Sequence, residues 1–216
     1  MSVMQLLVDV LGPVVLLVAI GALTGPRLAI DAATLSKLAY WVFGPAFVFE
    51  LFVASELAGG TVARLALAGL AGMLVAGLVA FALGSLANLQ QRIRAAGVMT
   101  SAYGNVGNAG LAISAFALGD DALAAAAVLM LVINVTGVMV GIGLATAQTS
   151  GVSSAVRRAL TAPMTLATIP AILLNASNTD VPLVIDRTVG LLGGALIPVL
   201  LYTLGVQFSQ TGWQRP

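Results

Sequence analysis

The stretch VARLALAGLAGMLVAGLVAFALGSL, Val62 to Leu86, carries a single charged side chain, Arg64, in twenty-five residues. As a helix rising 1.5 Å per residue it reaches about 37 Å, more than the ~30 Å of hydrocarbon in a bilayer. A membrane strand would show apolar/polar alternation over roughly ten residues, and this run has none. The reading is a transmembrane helix, and working outward from it the rest of the chain repeats the pattern.

Of the 216 residues, 60% are hydrophobic and 8% charged, and the mean hydropathy is +1.07. A soluble domain carries roughly 25% charged residues to keep its surface wetted. Nine basic and eight acidic residues are too few for that, so the solvent for most of the chain is lipid. Cysteine and histidine are both absent, which removes disulfides, thiol nucleophiles, thiolate metal sites and the usual near-neutral proton carrier. No cofactor is expected. A net charge of +1 argues against nucleic acid as a partner. Met1 to Asp9 hold no Lys or Arg, so the start lacks the basic region of a cleaved signal peptide and reads as part of a retained first span.

Span length places seven helices near 5–24, 34–54, 62–86, 95–118, 122–147, 159–176 and 187–208. Their flanking charges sort by side. Arg27, Lys37, Arg92, Arg94, Arg157, Arg158 and Arg215 follow odd-numbered spans, whereas only Arg64 and Arg187 follow even ones, with Glu56, Asp120, Asp121, Asp180 and Asp186. Basic residues concentrate in cytoplasmic loops, so the N-terminus is expected outside and the odd loops inside. Trp41 and Trp213 suit interfacial anchors. The Ala- and Gly-rich composition points to a bacterial inner membrane, crossed several times.

The first two spans resemble the last two. Gly12-Pro13 stands to the first as Ala162-Pro163 to the sixth, Lys37 precedes the second as Arg187 the seventh, and both later helices contain a proline, Pro45 and Pro198. With five spans per unit the second copy enters from the opposite side, giving a five-helix repeat followed by the first two helices of an inverted one. Inverted repeats are a mark of secondary transporters.

Within the fourth span lies Ser101-Ala-Tyr-Gly-Asn-Val-Gly-Asn-Ala-Gly-Leu111. Glycine costs roughly 1 kcal/mol relative to alanine in a helix interior, and asparagine in hydrocarbon needs a polar partner. Irregular backbone at this depth is tolerated where it lines a cavity or is buried in protein. A helix interrupted here offers N–H groups and a positive half-helix end to a carboxylate. The candidate binding residues are Gly104, Asn105, Gly107 and Asn108, with Asn134 and Thr136 from the fifth span. The competing reading is a close-packing face, since Gly104, Gly107 and Gly110 recur every three residues. Glu50 and Asp9 read as reaching water at the outer interface.

Gly104-Asn-Val-Gly-Asn-Ala-Gly-Leu111, continued by Ala115-Phe-Ala-Leu-Gly-Asp120, resembles the auxin efflux carrier family of plant auxin exporters and bacterial malate and malonate permeases. Tyr40 through Pro45 to Phe49, Asn134-Val-Thr-Gly137, Ala162-Pro163 and Pro170 extend the likeness along nearly the whole chain. Where that family usually places a proline after the Gly-Leu pair, this chain has Ala112. The resemblance implies ten helices in two inverted repeats, the first two helices of each forming a scaffold and the other three a moving domain with a broken crossover helix. Here it implies scaffold helices in 1–60, transport-domain helices in 61–150 and scaffold helices of the second repeat in 151–216, the last three helices being absent. The expected partners are a small organic anion, the lipid bilayer and a second copy docked through the scaffold helices.

The expected activity is alternating-access transport of a mono- or dicarboxylate held by Asn105 and Asn108. A relative of the sodium/bile-acid symporters and a non-transporting membrane scaffold remain the alternatives. An enzyme is not expected, because no His-Glu, Cys or Ser/Lys constellation lies at membrane depth. The topology has a direct check: reporters fused after Arg94 and after Asp121 should report opposite sides of the membrane, the first cytoplasmic, and the same side for both would overturn the span assignment.

Overall fold

A computed structural model of the chain describes residues 3–55, 59–146, 157, 158 and 160–211; Glu56, Trp213 and Arg215, singled out above, lie outside them. The protein is all-helical, with no strand among the described residues. In chain order the helices are α1 (Val3–Thr24), α2 (Ala32–Leu38), α3 (Gly44–Val53), α4 (Gly59–Leu86), α5 (Gln91–Ala102), α6 (Leu111–Leu118), α7 (Asp120–Thr146), α8 (Pro163–Ala176), α9 (Leu183–Gly194) and α10 (Leu196–Thr211), with π-helical turns at Ala39–Phe43 and Val106–Gly110. Four runs are long and apolar enough to cross a membrane: Leu7–Thr24, Ala32–Val53, Gly59–Leu86 and Leu183–Gln210. Ala122–Gly137 and Pro163–Ala176 are shorter apolar helices. Leu16, Leu74 and Leu78 point outward at 64–67% exposure, a surface matched to lipid rather than water.

Of the three long runs that contain a proline, the two with Pro45 and Pro198 are interrupted just before it, and Leu7–Thr24 runs through Pro13 unbroken. In Ala32–Val53 the backbone widens into the π turn, where the Gly44 N–H reaches back to Ala39 O, and Pro45 then opens α3. In Leu183–Gln210 the helix stops at Ala195 (φ −77°, ψ −18°) and restarts at Leu196, with Pro198 as its third residue. Proline has no N–H to give the carbonyl four residues back and its ring crowds that carbonyl, so the turn ahead of it is where the ladder fails. Pro13 behaves differently from Pro163: it lies inside α1 instead of at a helix start, whereas Pro163 occupies the first turn of α8, where its missing N–H has no helical partner to lose.

The helices fall into two compact units, residues 1–56, 107–127 and 160–216 in unit 1, and 57–106 and 128–159 in unit 2. In unit 1, α1 packs on α10 and α3 packs on α8 and α9. Between apolar helices in lipid the hydrophobic effect gives no drive, and association rests on close packing and hydrogen bonds. Glycine supplies the closeness. A Cβ at Gly21 would collide with the Tyr202 carbonyl, and one at Gly205 with the Val18 carbonyl and the Ala22 nitrogen. Gly25 faces Val206 Cγ2, 2.8 Å from where its Cβ would stand. Beside this contact Thr24 Oγ1 and Tyr202 OH share a 2.8 Å hydrogen bond. Gly44 likewise admits Met164 of α8, and the Asn175 amide donates to Val53 O and Ser55 O, both at 2.9 Å. Val48, Ala171, Leu196, Leu201 and Val206 are wholly buried.

Three helix ends share one device. Ala29, Asn88 and Asn178 take φ near +50°, and the following N–H bonds the carbonyl five residues back: Ile30 to Gly25, Leu89 to Gly84 and Thr179 to Leu174. This left-handed closure satisfies carbonyls that the helix leaves open. Asp31 then caps α2, accepting from Ala33 N, Thr34 N and Thr34 Oγ1.

In unit 2, α4 and α5 form an antiparallel hairpin. Arg94 folds back over it, its guanidinium 4.8 Å from the Phe81 ring centroid and Nη1 donating to Ser85 Oγ at 3.2 Å. The α1–α10 contact is open to test. Gly21→Leu and Gly205→Leu each drive a side chain into backbone, and overpacking of this kind costs about 1–3 kcal/mol or more. Both should lower the melting temperature in detergent, while Gly12→Leu, with no atom within 4 Å of its Cβ position, should leave it unchanged.

Candidate functional site

The helical run that begins at Gln91 stops at Ala102. Tyr103 turns extended (φ −107°, ψ 90°), its N–H still bonded to Met99 O. Gly104 and Asn105 are non-helical, and the Val106 N–H closes back on Gly104 O at 2.9 Å, a three-residue turn centred on Asn105. The π turn Val106–Gly110 follows and leads into α6. The backbone therefore breaks within the Gly/Asn segment, and it does so with alanine at 112. Three glycines and two asparagines in seven residues supply enough helix-breaking tendency without proline.

The competing packing-face reading can be weighed on the glycines themselves. A Cβ at Gly104 would come no closer than 4.0 Å to any described atom, here its neighbour Val106, and one at Gly107 no closer than 4.0 Å, to Leu200 Cδ1. Gly21, Gly44 and Gly205 have backbone or side chain inside contact distance, and these two do not. Gly104 and Asn105 are exposed, Gly107 to Gly110 half-buried, and the next two residues, Leu111 and Ala112, wholly buried. The glycines at 104 and 107 thus open space around the break without joining helices across it.

The candidates divide between the units. Gly107 and Asn108 belong to unit 1, and Gly104, Asn105, Asn134 and Thr136 to unit 2. Within unit 2 the break is held against α7 by Tyr103, whose Cε1 would lie 3.4 Å from a Cβ on Gly137. Asn134, one turn earlier, shares that helix face. Asn105, Asn108 and Asn134 each have a partner already, and an amide with two donors and two acceptor lone pairs has capacity beyond one bond. Thr136 is placed otherwise. Its hydroxyl lies 2.6 Å from Val132 O and 3.2 Å from Ile133 O of its own helix and 3.7 Å from Met73 Sδ. Thr136 and Tyr103 edge an apolar groove of about 420 Å³ between α4 and α5.

The carboxylates separate the units completely, while the nine basic residues divide between them. Unit 2 contains Arg64, Arg92, Arg94, Arg157 and Arg158 and not one carboxylate; all eight Asp and Glu residues fall in unit 1. Its field favours anions.

Two features were missed in the sequence. Tyr103 stood in the quoted segment without a role, and the signal was an aromatic adjoining the first glycine of the break. Glu50 read as a water-facing side chain, and it is exposed, yet Oε1 and Oε2 also occupy the space cleared by Gly190 and Gly193 of α9, 3.3 and 2.5 Å from their Cβ positions. The glycine spacing in α9 was the available clue. Among the described residues no group of three His, Cys, Asp or Glu could hold a metal ion.

With no native cysteine, single-cysteine labelling can probe the break. Gly104 has no positive φ, so Gly104→Cys fits the backbone and should react readily with a membrane-impermeant maleimide. Leu111→Cys, at a position with no exposure, should not. An inert Gly104→Cys would show that no water reaches the break.

No protein-family model matches this sequence, and no curated protein matches it either.

Proposed function

We propose that the chain belongs to a secondary transporter for a small organic anion, built on the plan of the auxin efflux carriers that its sequence resembles. The observation that carries the reading is the break at Tyr103–Asn105 with its π turn, leading into the apolar α6, with Asn105 and Asn108 at it and left open by Gly104 and Gly107. Backbone amides freed at such a break, with the amide side chains beside them, form a site for a carboxylate. The carboxylate-free unit 2 adds a field of the required sign.

Two further features support the plan. Under an inverted repeat that exchanges the first span with the sixth and the second with the seventh, contact of the first with the seventh is equivalent to contact of the sixth with the second. Both pairs, α1 with α10 and α3 with α8, are in contact, and the second and seventh spans are each interrupted before their interior proline, Pro45 and Pro198. The unit boundaries also follow the proposed roles: unit 1 gathers the scaffold segments, together with 107–127, and unit 2 most of the remainder. In this reading seven helices cross the membrane, the N-terminus lies outside and a second copy docks through the scaffold.

Uptake of labelled malate, malonate or an indole acid by the full-length protein in vesicles tests it, with protein amount measured beside flux. Asn105→Leu and Asn108→Leu each remove hydrogen bonds to a charged group, worth roughly 1.5–3 kcal/mol. Apparent affinity should fall about ten- to a hundredfold while yield holds, since leucine suits lipid. Unchanged uptake by both variants would remove these residues from the site and leave Asn134 as the next candidate.

A further inference from the structure

We infer that unit 2 binds an anionic phospholipid, with an acyl chain in the groove between α4 and α5 and its phosphate at Arg94. The inference rests on the chain lying in a bilayer with the α4–α5 hairpin on the cytoplasmic side, and it stands apart from the transport reading.

The groove follows helical spacing. Leu70, Met73, Gly77 and Phe81 of α4 face Val98 and Ala102 of α5 across it. Gly77 lines it where the two helices approach: a Cβ there would sit at ordinary contact distance from Val98 (3.7 Å) and Ala102 (3.8 Å). Its volume is about 420 Å³ and its lining almost wholly apolar. The hydroxyl of Thr136 at its edge is turned back to Val132. Such a trough offers a small polar solute nothing and suits a hydrocarbon chain.

The head end is marked by Phe81, which lines the groove on one side and carries the Arg94 guanidinium on its ring. Arg94 is held in place by that ring, by the Ser85 hydroxyl and by its own methylenes against Gly84. Of its five N–H donors, one is used among the described residues, on Ser85. Its charge has no carboxylate partner among the described residues, and unit 2 has no carboxylate in its sequence at all. The counter-charge comes from outside the unit, and the planar guanidinium fork matches a phosphate. Arg92, exposed two residues away, adds a second cation at the same hairpin end. Basic residues at the cytoplasmic ends of membrane helices attract anionic headgroups, at about 1 kcal/mol each, and the distribution of Arg and Lys assigns this hairpin to the cytoplasmic side. A zwitterionic lipid would fill the groove equally well and offer the same phosphate, but its headgroup cation would sit beside Arg94 and Arg92, so net charge selects the headgroup and the groove selects the chain.

The test is native mass spectrometry of the full chain in detergent, given equimolar dioleoylphosphatidylglycerol and dioleoylphosphatidylcholine. The wild type should retain the glycerol lipid over the choline lipid by roughly fivefold or more. Arg94→Gln should reduce that preference by about fivefold and Arg94→Lys should keep much of it. Met73→Trp fills the groove and should lower retention of both lipids without changing their ratio. Equal retention of the two lipids by the wild type overturns the inference with no variant needed, and so does an undiminished preference in Arg94→Gln. Displacement of the bound lipid by millimolar inorganic phosphate would reassign Arg94 to a soluble anion and overturn the acyl-chain half. Should Arg94→Gln fail to fold, Arg92→Gln carries the headgroup test, with the same direction expected.

Discussion

Backbone against backbone at Gly21 and Gly205 is the contact on which unit 1 depends. Each glycine receives a carbonyl of the opposite helix, Tyr202 on one side and Val18 on the other, so the two positions serve one another reciprocally. In lipid no expulsion of water rewards the pairing of apolar helices, and shape at close range decides which surfaces meet. A side chain at either position would separate α1 from α10 and carry apart Thr24 and Tyr202, Gly25 and Val206, and the bond from Gln210 to Ile30 O. The α3–α8 contact repeats the principle with Gly44 and Met164, then adds polar stitching through Asn175.

How much of this could be read in advance depended on range. Helical membrane character followed from composition alone, because seventeen charges cannot wet a surface of this size. The break was legible in the density of Gly and Asn between Tyr103 and Gly110, a local property. The partners of each helix were not legible. Twenty-four glycines look alike along a chain, and only the fold distinguishes Gly21, where a backbone arrives, from Gly104, where nothing does. The π turn at Ala39–Phe43 was equally hidden, since a proline shows that a ladder will fail without showing whether it fails by widening or, as at Ala195, by stopping.

The same limit applied to the candidate site. Asn105 and Asn108 were picked out by chemistry and stand at the break, and Asn134 shares a face with Gly137 against Tyr103. Thr136 was chosen by position on the fifth span, where a helical threonine hydroxyl bonds the carbonyl one turn back, here Val132. The division of charge between the units needed contacts as well as sequence. Read linearly, acids and bases alternate with the loops. Sorted by packing, every carboxylate falls in unit 1.

The three left-handed helix closures are not equal. Asn88 and Asn178 are of the residue type that, after glycine, adopts this conformation most readily, because a short polar side chain can bond locally. Ala29 cannot, and holding an alanine there costs on the order of 1 kcal/mol. That energy is returned whenever the turn opens. The α1–α2 connection is thus the loosest of the three on purely local grounds, and what keeps it shut is contributed from elsewhere: the Asp31 cap on one side and the Gln210 amide reaching Ile30 from the last helix on the other. In dynamic terms Gln210 is a latch. Hydrogen exchange at this turn reports on the docking of α10 as much as on the turn itself.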